Sequence, residues 1–412
     1  MMPFRQISRK RLLTALATVV VFLGAAAPSS AQKAAKPTVK AKTPANKVTH
    51  NYWVYVGAES ADLVHRIRFG PQGAVVEKTI TVGESPTEME GPHGLQISQD
   101  GKYLHMTTGH GSPDGKYWKY ELGPDTLVGA GLFLGFFPAS IDVTPDGLYA
   151  FAVNFNLHGE MVPSSVSVVY TPTNTEVART ETCTMPHGSR VDPTGANQYS
   201  TCMMDDQLVE IDTRTFEVSR RFGLAKGREG MIAHTAGMSS EHASHQGTAA
   251  TDSVRGAARE HKMTPASCSP TWAQPSADGK KIYIACNKAD EIIELDRESW
   301  TIARRFKTGR GPYNLAVTPD GKLLVASLKQ GGAVQVFNLA TGQSVMQLKS
   351  STGVTHGVAM SPDSRYAFIS SEGVGAAPGK VDVYDLRSLT RVASVDVGQQ
   401  AGGIAFWKME KL

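Results

Sequence analysis

The hydrophobic positions of this 412-residue chain fall into two regimes. The first is one apolar run, Leu12–Ala27, preceded by Arg5, Arg9, Lys10 and Arg11 and followed by the small residues Ser29, Ser30 and Ala31. That is the layout of a secretory signal over residues 1–31. The run is shorter than the roughly 20 residues of a spanning helix, and no later stretch is long and apolar enough to be one. The chain is therefore expected to have no integral membrane segment once the signal is removed. In the second regime, apolar and polar residues alternate in short runs that stop at Gly, Pro or Asp, the period of half-buried β-strands.

Those runs repeat. A Pro-x-Gly-like entry, an alternating strand, a turn resembling PDG and a second strand recur every roughly 40–50 residues. The copies begin at Pro92 (PHGLQISQDGKYLHMTTG), Pro138 (PASIDVTPDGLYAFAVN), Met185 (MPHGSRVDPTGANQYSTC), Ser269 (SPTWAQPSADGKKIYIAC), Gly311 (GPYNLAVTPDGKLLVAS) and Val354 (VTHGVAMSPDSRYAFISS). A seventh is split between the ends, with AGGIAFWKM supplying an entry strand and NYWVYVGAESADLVHRIRF the strands that follow it. Seven such units predict an all-β fold: a seven-bladed β-propeller of four-stranded antiparallel blades, its ring closed by pairing of the N- and C-terminal strands. The domain layout follows as signal 1–31, a Lys/Ala/Pro-rich linker 32–50 expected to be disordered, and a propeller over 51–412 with a long inter-blade insertion at 227–267.

The phrases YVGAESADLVHRIRF, KTITVG, IACNKADEIIELD and AVTPDGKLLVAS resemble those of the YVTN family of seven-bladed β-propellers, over nearly all of residues 51–412. The resemblance implies a fold and leaves function open, because such propellers serve as surface-layer modules, lactonases, lyases and reductase scaffolds. Likeness to nitrous-oxide reductase propellers is one of general design only: the ring has too few histidines for a multicopper cluster, and no cupredoxin domain follows.

Departures from the repeat carry the chemistry. In each unit the residue after the entry position faces one mouth of the central channel, giving the ring Gly402, His93, Ala139, His187, Thr271, Tyr313 and His356. His93, His187 and His356 belong to blades 2, 4 and 7, as evenly spaced as three in seven can be, and each precedes a glycine. Three neutral imidazoles aimed at one axis suit a first-row transition metal with open positions. Direct acid–base use or plain channel lining are the alternatives.

Topology sends other side chains to the same mouth. His110 and His158 lie on loops after second strands, and the insertion carries His234, His242, His245 and His261 with Met231, Met238 and Met263. His242 and His245, three residues apart beside Glu241, are candidate ligands or catalytic bases if the insertion is a lid. Thioethers there would favour copper over zinc. Arg190 is a candidate anion binder on an inner strand, Asp142 a candidate support for an imidazole, and Glu88 and Glu90 are expected to be solvated acids near the mouth. Tyr313 is placed to hydrogen-bond a ligand or to pack against the rim.

Composition narrows the classes further. The formal net charge of +4 is that of the signal's four basic residues, and five lysines at positions 33–47 leave the rest mildly acidic. A nucleic-acid partner is not expected from such a surface. No CxxCH motif is present, which excludes a covalent c-type haem. Of the four cysteines, Cys183 with Cys202 and Cys268 with Cys286 bracket equivalent strand pairs, so disulfides with that connectivity are expected in an exported protein, with thiolate ligation as the alternative. The reading is a periplasmic or secreted propeller that binds a transition metal and a small molecule at its histidine-lined mouth, with copper-dependent oxidoreductase chemistry as its most specific form. A metal-free lactonase- or lyase-like enzyme and a non-catalytic module for an envelope protein or glycan are the alternatives.

Overall fold

A computed structural model describes residues 47–85, 87–109, 114–233 and 265–412. The signal, most of the linker, His110 and the insertion's His234, His242, His245, His261, Met238 and Met263 lie outside the described residues. What is described is almost wholly strand, with one 3-10 turn at Glu59–Ala61. No helix among the described residues is long and apolar enough to cross a membrane.

Seven antiparallel sheets follow one another, each running outward from an inner strand. The inner strands are Ala401–Lys411 in blade 1, Pro92–Ile97 in blade 2, Pro138–Val143 in blade 3, Pro186–Val191 in blade 4, Pro270–Pro275 in blade 5, Pro312–Val317 in blade 6 and Val354–Met360 in blade 7. In blade 1 the inner strand pairs with His50–Ala58, with His50 opposite Lys411 and Ala58 opposite Ala401, so the chain ends close the ring. Two blades carry more than four strands. The third strand of blade 2, Asp114–Glu121, pairs with both Thr126–Leu127 and Leu132–Phe136, and blade 4 gains Gly230–Ile232 from the beginning of the insertion.

The repeated turn has a simple cause. In blade 3, the Asp146 carboxylate accepts from the Thr144 hydroxyl at 2.5 Å and from the Leu148 amide at 3.0 Å, which ties the hairpin between first and second strands. Ser98 with Asp100, Ser276 with Asp278, Thr318 with Asp320 and Ser361 with Asp363 repeat it.

Apolar side chains of neighbouring blades interleave: Tyr52, Val54 and Phe69 of blade 1 meet Tyr366, Phe368, Val381 and Val383 of blade 7. Full burial of each such side chain is worth roughly 1.5–3 kcal/mol, so the inter-blade layers fix the geometry of the mouth. Both expected disulfides form. Cys183–Cys202 and Cys268–Cys286 have Cα separations of 5.8 and 4.5 Å. The first joins the outer strand of blade 3 to the second strand of blade 4; the second fixes the entry to blade 5 after the insertion.

Candidate functional site

The ring residue of each blade lies one step inside its inner strand, or two in blade 7. His93, His187, Thr271, Tyr313 and His356 all line a cavity of about 380 Å³ at one mouth. A second ring stands above them. The residue that closes the second strand, or the one just after it, is Glu59 in blade 1, Gly109 in blade 2, Phe155 in blade 3, Met203 in blade 4, Asn287 in blade 5, Lys329 in blade 6 and Glu372 in blade 7. All but Gly109 line the same cavity. Charge therefore gathers over blades 6, 7 and 1, and Phe137, Phe155, Leu157 and Met203 form an apolar wall across from it.

The three imidazoles meet over the pore. Ring centroids of His93 and His356 are 5.4 Å apart, and those of His93 and His187 are 6.2 Å apart. All three are buried. Each leans on the next ring residue round the barrel: His93 Nδ1 on the Ala139 carbonyl, His187 Nδ1 on the Thr271 carbonyl at 2.9 Å, and His356, more loosely, on the Gly402 backbone. A carbonyl only accepts, so Nδ1 of His93 and His187 carries the proton and Nε2 keeps its lone pair.

The glycine after each histidine is explained by this sideways lean rather than by ligand approach. A Cβ on Gly188 would sit 2.9 Å from the Thr271 oxygen and the Trp272 Cα of the next blade, and Gly94 and Gly357 face similar backbone contacts. Only glycine lets the inner strands come that close.

The fates of the three Nε2 atoms differ. His187 Nε2 accepts the Tyr313 hydroxyl at 2.8 Å, so both nitrogens of His187 are engaged. His93 Nε2 faces Glu59 Oε1 at 3.8 Å, and His356 Nε2 faces Glu372 Oε1 at 3.7 Å. Ligand atoms of Glu59, His93 and His356 all lie within 4.8 Å of one another, a buried group able to hold a metal ion. Glu59 thus stands where the ring pattern suggested His187. The space is reserved for it: blade 1 has Gly402 at its ring position, and a Cβ there would fall 1.9 Å from Glu59 Oε1. Gln400 donates to Glu59 Oε2 at 3.0 Å, and the Glu59 amide donates to the Gln400 carbonyl at 3.1 Å.

Burial sets the electrostatics. Desolvation raises the Glu59 carboxyl well above its ordinary range, Glu372 adds to the rise, and Lys329 opposes it. Desolvation lowers His187 to about 4 and pushes His356 well down, with Lys329 and the other imidazoles adding to the latter. Both are neutral near pH 7, the state that ligates. Lys329 pairs with Glu372 at 2.9 Å and lies 4.5 Å over the Tyr313 ring. Although desolvation acts to lower it, Tyr313, Glu372 and Glu59 hold its pKa above the ordinary value, so it stays charged.

Other sequence candidates lie elsewhere. Arg190 occupies the fifth position of its inner strand, towards the opposite end of the channel, where its Nε donates to Gln274 Oε1 at 3.2 Å and its guanidinium stacks 4.9 Å over Trp272. Asp142 accepts from Gln96 Nε2 and from the Val191 amide at 2.7 Å, and its charge acts on Arg190. The pair belongs to a belt of polar side chains across blades 2–5, away from the mouth cavity. Glu90 is buried and clamps its own loop, accepting from the Glu84 and Ser85 amides at 2.6 and 2.9 Å. His158 packs on Phe137, 5.8 Å between centroids, at the edge of the apolar wall.

Sequence reasoning missed Glu59, Lys329 and Glu372. The signal was available, since the register that aligns the entry prolines also aligns the ends of the second strands.

Comparisons with known proteins agree on the fold. No curated protein matches the chain. Among solved structures it is similar to Kuenenia stuttgartiensis hydrazine synthase (18% identity, TM-score 0.52, covering 74% of this chain and 80% of that one). It is also similar to a functionally unknown protein from Desulfotomaculum acetoxidans (16% identity, TM-score 0.60, covering 86% and 98%). At such identities the likeness concerns the fold alone. Residues 128–403 match the YNCE-like β-propeller family, and the chain belongs to that family.

Proposed function

We propose that this is an exported propeller whose mouth holds a first-row transition metal on Glu59, His93 and His356 and presents it to a small molecule in the cavity above. The observation that carries this reading is the convergence of two buried imidazoles and one buried carboxylate within 4.8 Å. Two histidines and a carboxylate leave coordination positions open and suit iron or zinc as well as copper. The preference for copper rests on thioethers, and among the described residues Met203 lines this cavity.

Bound metal would supply Lewis-acid or one-electron chemistry. The chain's own groups do the rest. Phe137, Phe155, Leu157 and Met203 receive the apolar part of a ligand, while Lys329 and Tyr313 offer donors to its polar end. Phe137, Phe155 and Tyr313 are buried, which strengthens the contacts made deepest in the cavity. Export is supported by the signal-like start and by the two disulfides.

The hydrogen bond between His187 and Tyr313 favours a second reading, metal-free general-base catalysis, in which the Tyr313 oxygen takes a proton from substrate as its own passes to His187 Nε2. Metal analysis of untagged protein, purified without chelator, separates the two. The metal reading requires near-stoichiometric iron, zinc or copper and a melting point that falls when chelator removes it. Metal-free protein whose stability is indifferent to added ions would overturn it.

A further inference from the structure

Beneath the imidazole layer the channel does not close at once. A small chamber of about 20 Å³ lies there, lined by His93 and His356 above, Trp272 and Asn314 at the side and Arg190 at the inner end. It is far too small for an organic ligand. It exceeds the roughly 10–15 Å³ that one water requires.

Its lining sets a few polar groups among the apolar side chains of Leu95, Ile141 and Ile404. Trp272 and Asn314 are 6% and 5% exposed, and neither the Trp272 indole Nε1 nor the Asn314 Oδ1 finds a hydrogen-bond partner among the described residues. Indole N–H only donates, and the amide oxygen only accepts. Leaving either group unsatisfied in a buried site costs roughly 1–3 kcal/mol. Neighbouring contacts hold the frame of the chamber in place: Arg190 stacks on the Trp272 ring, and the backbone N–H of Asn314 donates to Ser327 Oγ at 3.0 Å, fixing the strand that carries the Asn314 side chain.

We infer that this chamber is a binding site for one buried water, which accepts from Trp272 Nε1 and donates to Asn314 Oδ1. One occupant that both accepts and donates satisfies both groups; an apolar gas atom satisfies neither. The inference goes beyond the metal reading and stands without it. It also gives the imidazole layer two unlike faces, an outer one open to organic ligands and an inner one wetted by a single water against the rings of His93 and His356.

Two measurements on metal-free, chelator-treated full-length protein test it, so failure of the metal reading leaves the result intact. In crystals, the chamber should show one oxygen within hydrogen-bond distance of both groups, and pressurised xenon should not enter it. In solution, protein labelled at the five tryptophan indoles should give a water cross-peak to the Trp272 N–H, assigned by its disappearance in Trp272→Phe. That cross-peak should be lost in Asn314→Leu, whose side chain occupies the space. Xenon density in the chamber, or a Trp272 N–H with no water cross-peak in the wild type, would show a dry cavity and overturn the inference. Should Asn314→Leu fail to fold, the wild-type crystal and cross-peak still decide.

Discussion

Two ligand sets compete at the mouth, and substituting Glu59 and His187 in parallel separates them. The ring pattern alone nominates His93, His187 and His356; the geometry puts Glu59 in place of His187. Glu59→Gln keeps the shape and the Gln400 contact but removes the negative charge from a buried site. Removing one partner of a buried charge pair costs roughly 3–5 kcal/mol, which at 1.4 kcal/mol per decade is about two to four orders of magnitude in metal Kd. His187→Ala removes a ring whose nitrogens are engaged by Thr271 and Tyr313, and it reaches the group through packing alone, by its edge contact with His93 at 6.2 Å and through Tyr313, whose ring lies 4.7 Å from that of His356. Its effect should resemble the low end of outer-shell losses, about tenfold.

The assay is metal stoichiometry by elemental analysis, followed by competition against a chelator of known affinity. Stability in the metal-free state gives a second readout of opposite sign. Because burial raises the Glu59 pKa in the folded protein, its ionised form opposes folding above the unfolded-state pKa, so Glu59→Gln should melt higher than wild type without metal at pH 7 and gain nothing from added ion. A Glu59→Gln protein that retains stoichiometric metal while His187→Ala loses it would refute the geometric assignment and restore the three-imidazole set.

Three further outcomes follow from the same contacts. Gly402→Ala should lower metal affinity at least tenfold with near-normal folding, as judged by circular dichroism and competition titration, because its Cβ, 1.9 Å from Glu59 Oε1, displaces only the far end of a flexible side chain. Tyr313→Phe leaves the buried His187 Nε2 without its donor and should cost roughly 1–3 kcal/mol in denaturant unfolding; an unchanged midpoint would show that the bond does not persist in solution. Reduction of Cys183–Cys202 and Cys268–Cys286, which close loops of 19 and 18 residues, should each remove about 3 kcal/mol, measured with single cysteine-pair serine variants against the oxidised chain.

The fold was legible because a propeller repeats its physics. Every blade needs an alternating inner strand and a second strand, and five of the seven join them by a Ser/Thr-x-Asp turn, so copies of one pattern reported the sheets, and an unmatched strand at each end reported how the ring closes. Blades 2 and 4 show the limit of that logic. Their extra strands, Leu132–Phe136 and Gly230–Ile232, pair beyond the regular unit and have no counterpart in the other repeats to announce them.

The site was half legible for a related reason. A repeat register says which residues face the pore at a given height, and it correctly gathered His93, His187, His356 and Tyr313. It cannot say which way a ring turns once there. His187 is withdrawn from the prospective ligand group by its hydrogen bond to Tyr313, which stands two blades further round the ring. Glu59 is admitted by an absent side chain at Gly402, more than 340 positions away. The first is a contact between blades and the second joins the two ends of the chain within blade 1, whereas the pattern describes each stretch of sequence alone. Reading the second ring in the same register would have supplied Glu59, Lys329 and Glu372 as candidates. Choosing among them still depends on the neighbour each one meets across the pore, and that choice decides whether the mouth is a metal centre or an acid–base pair.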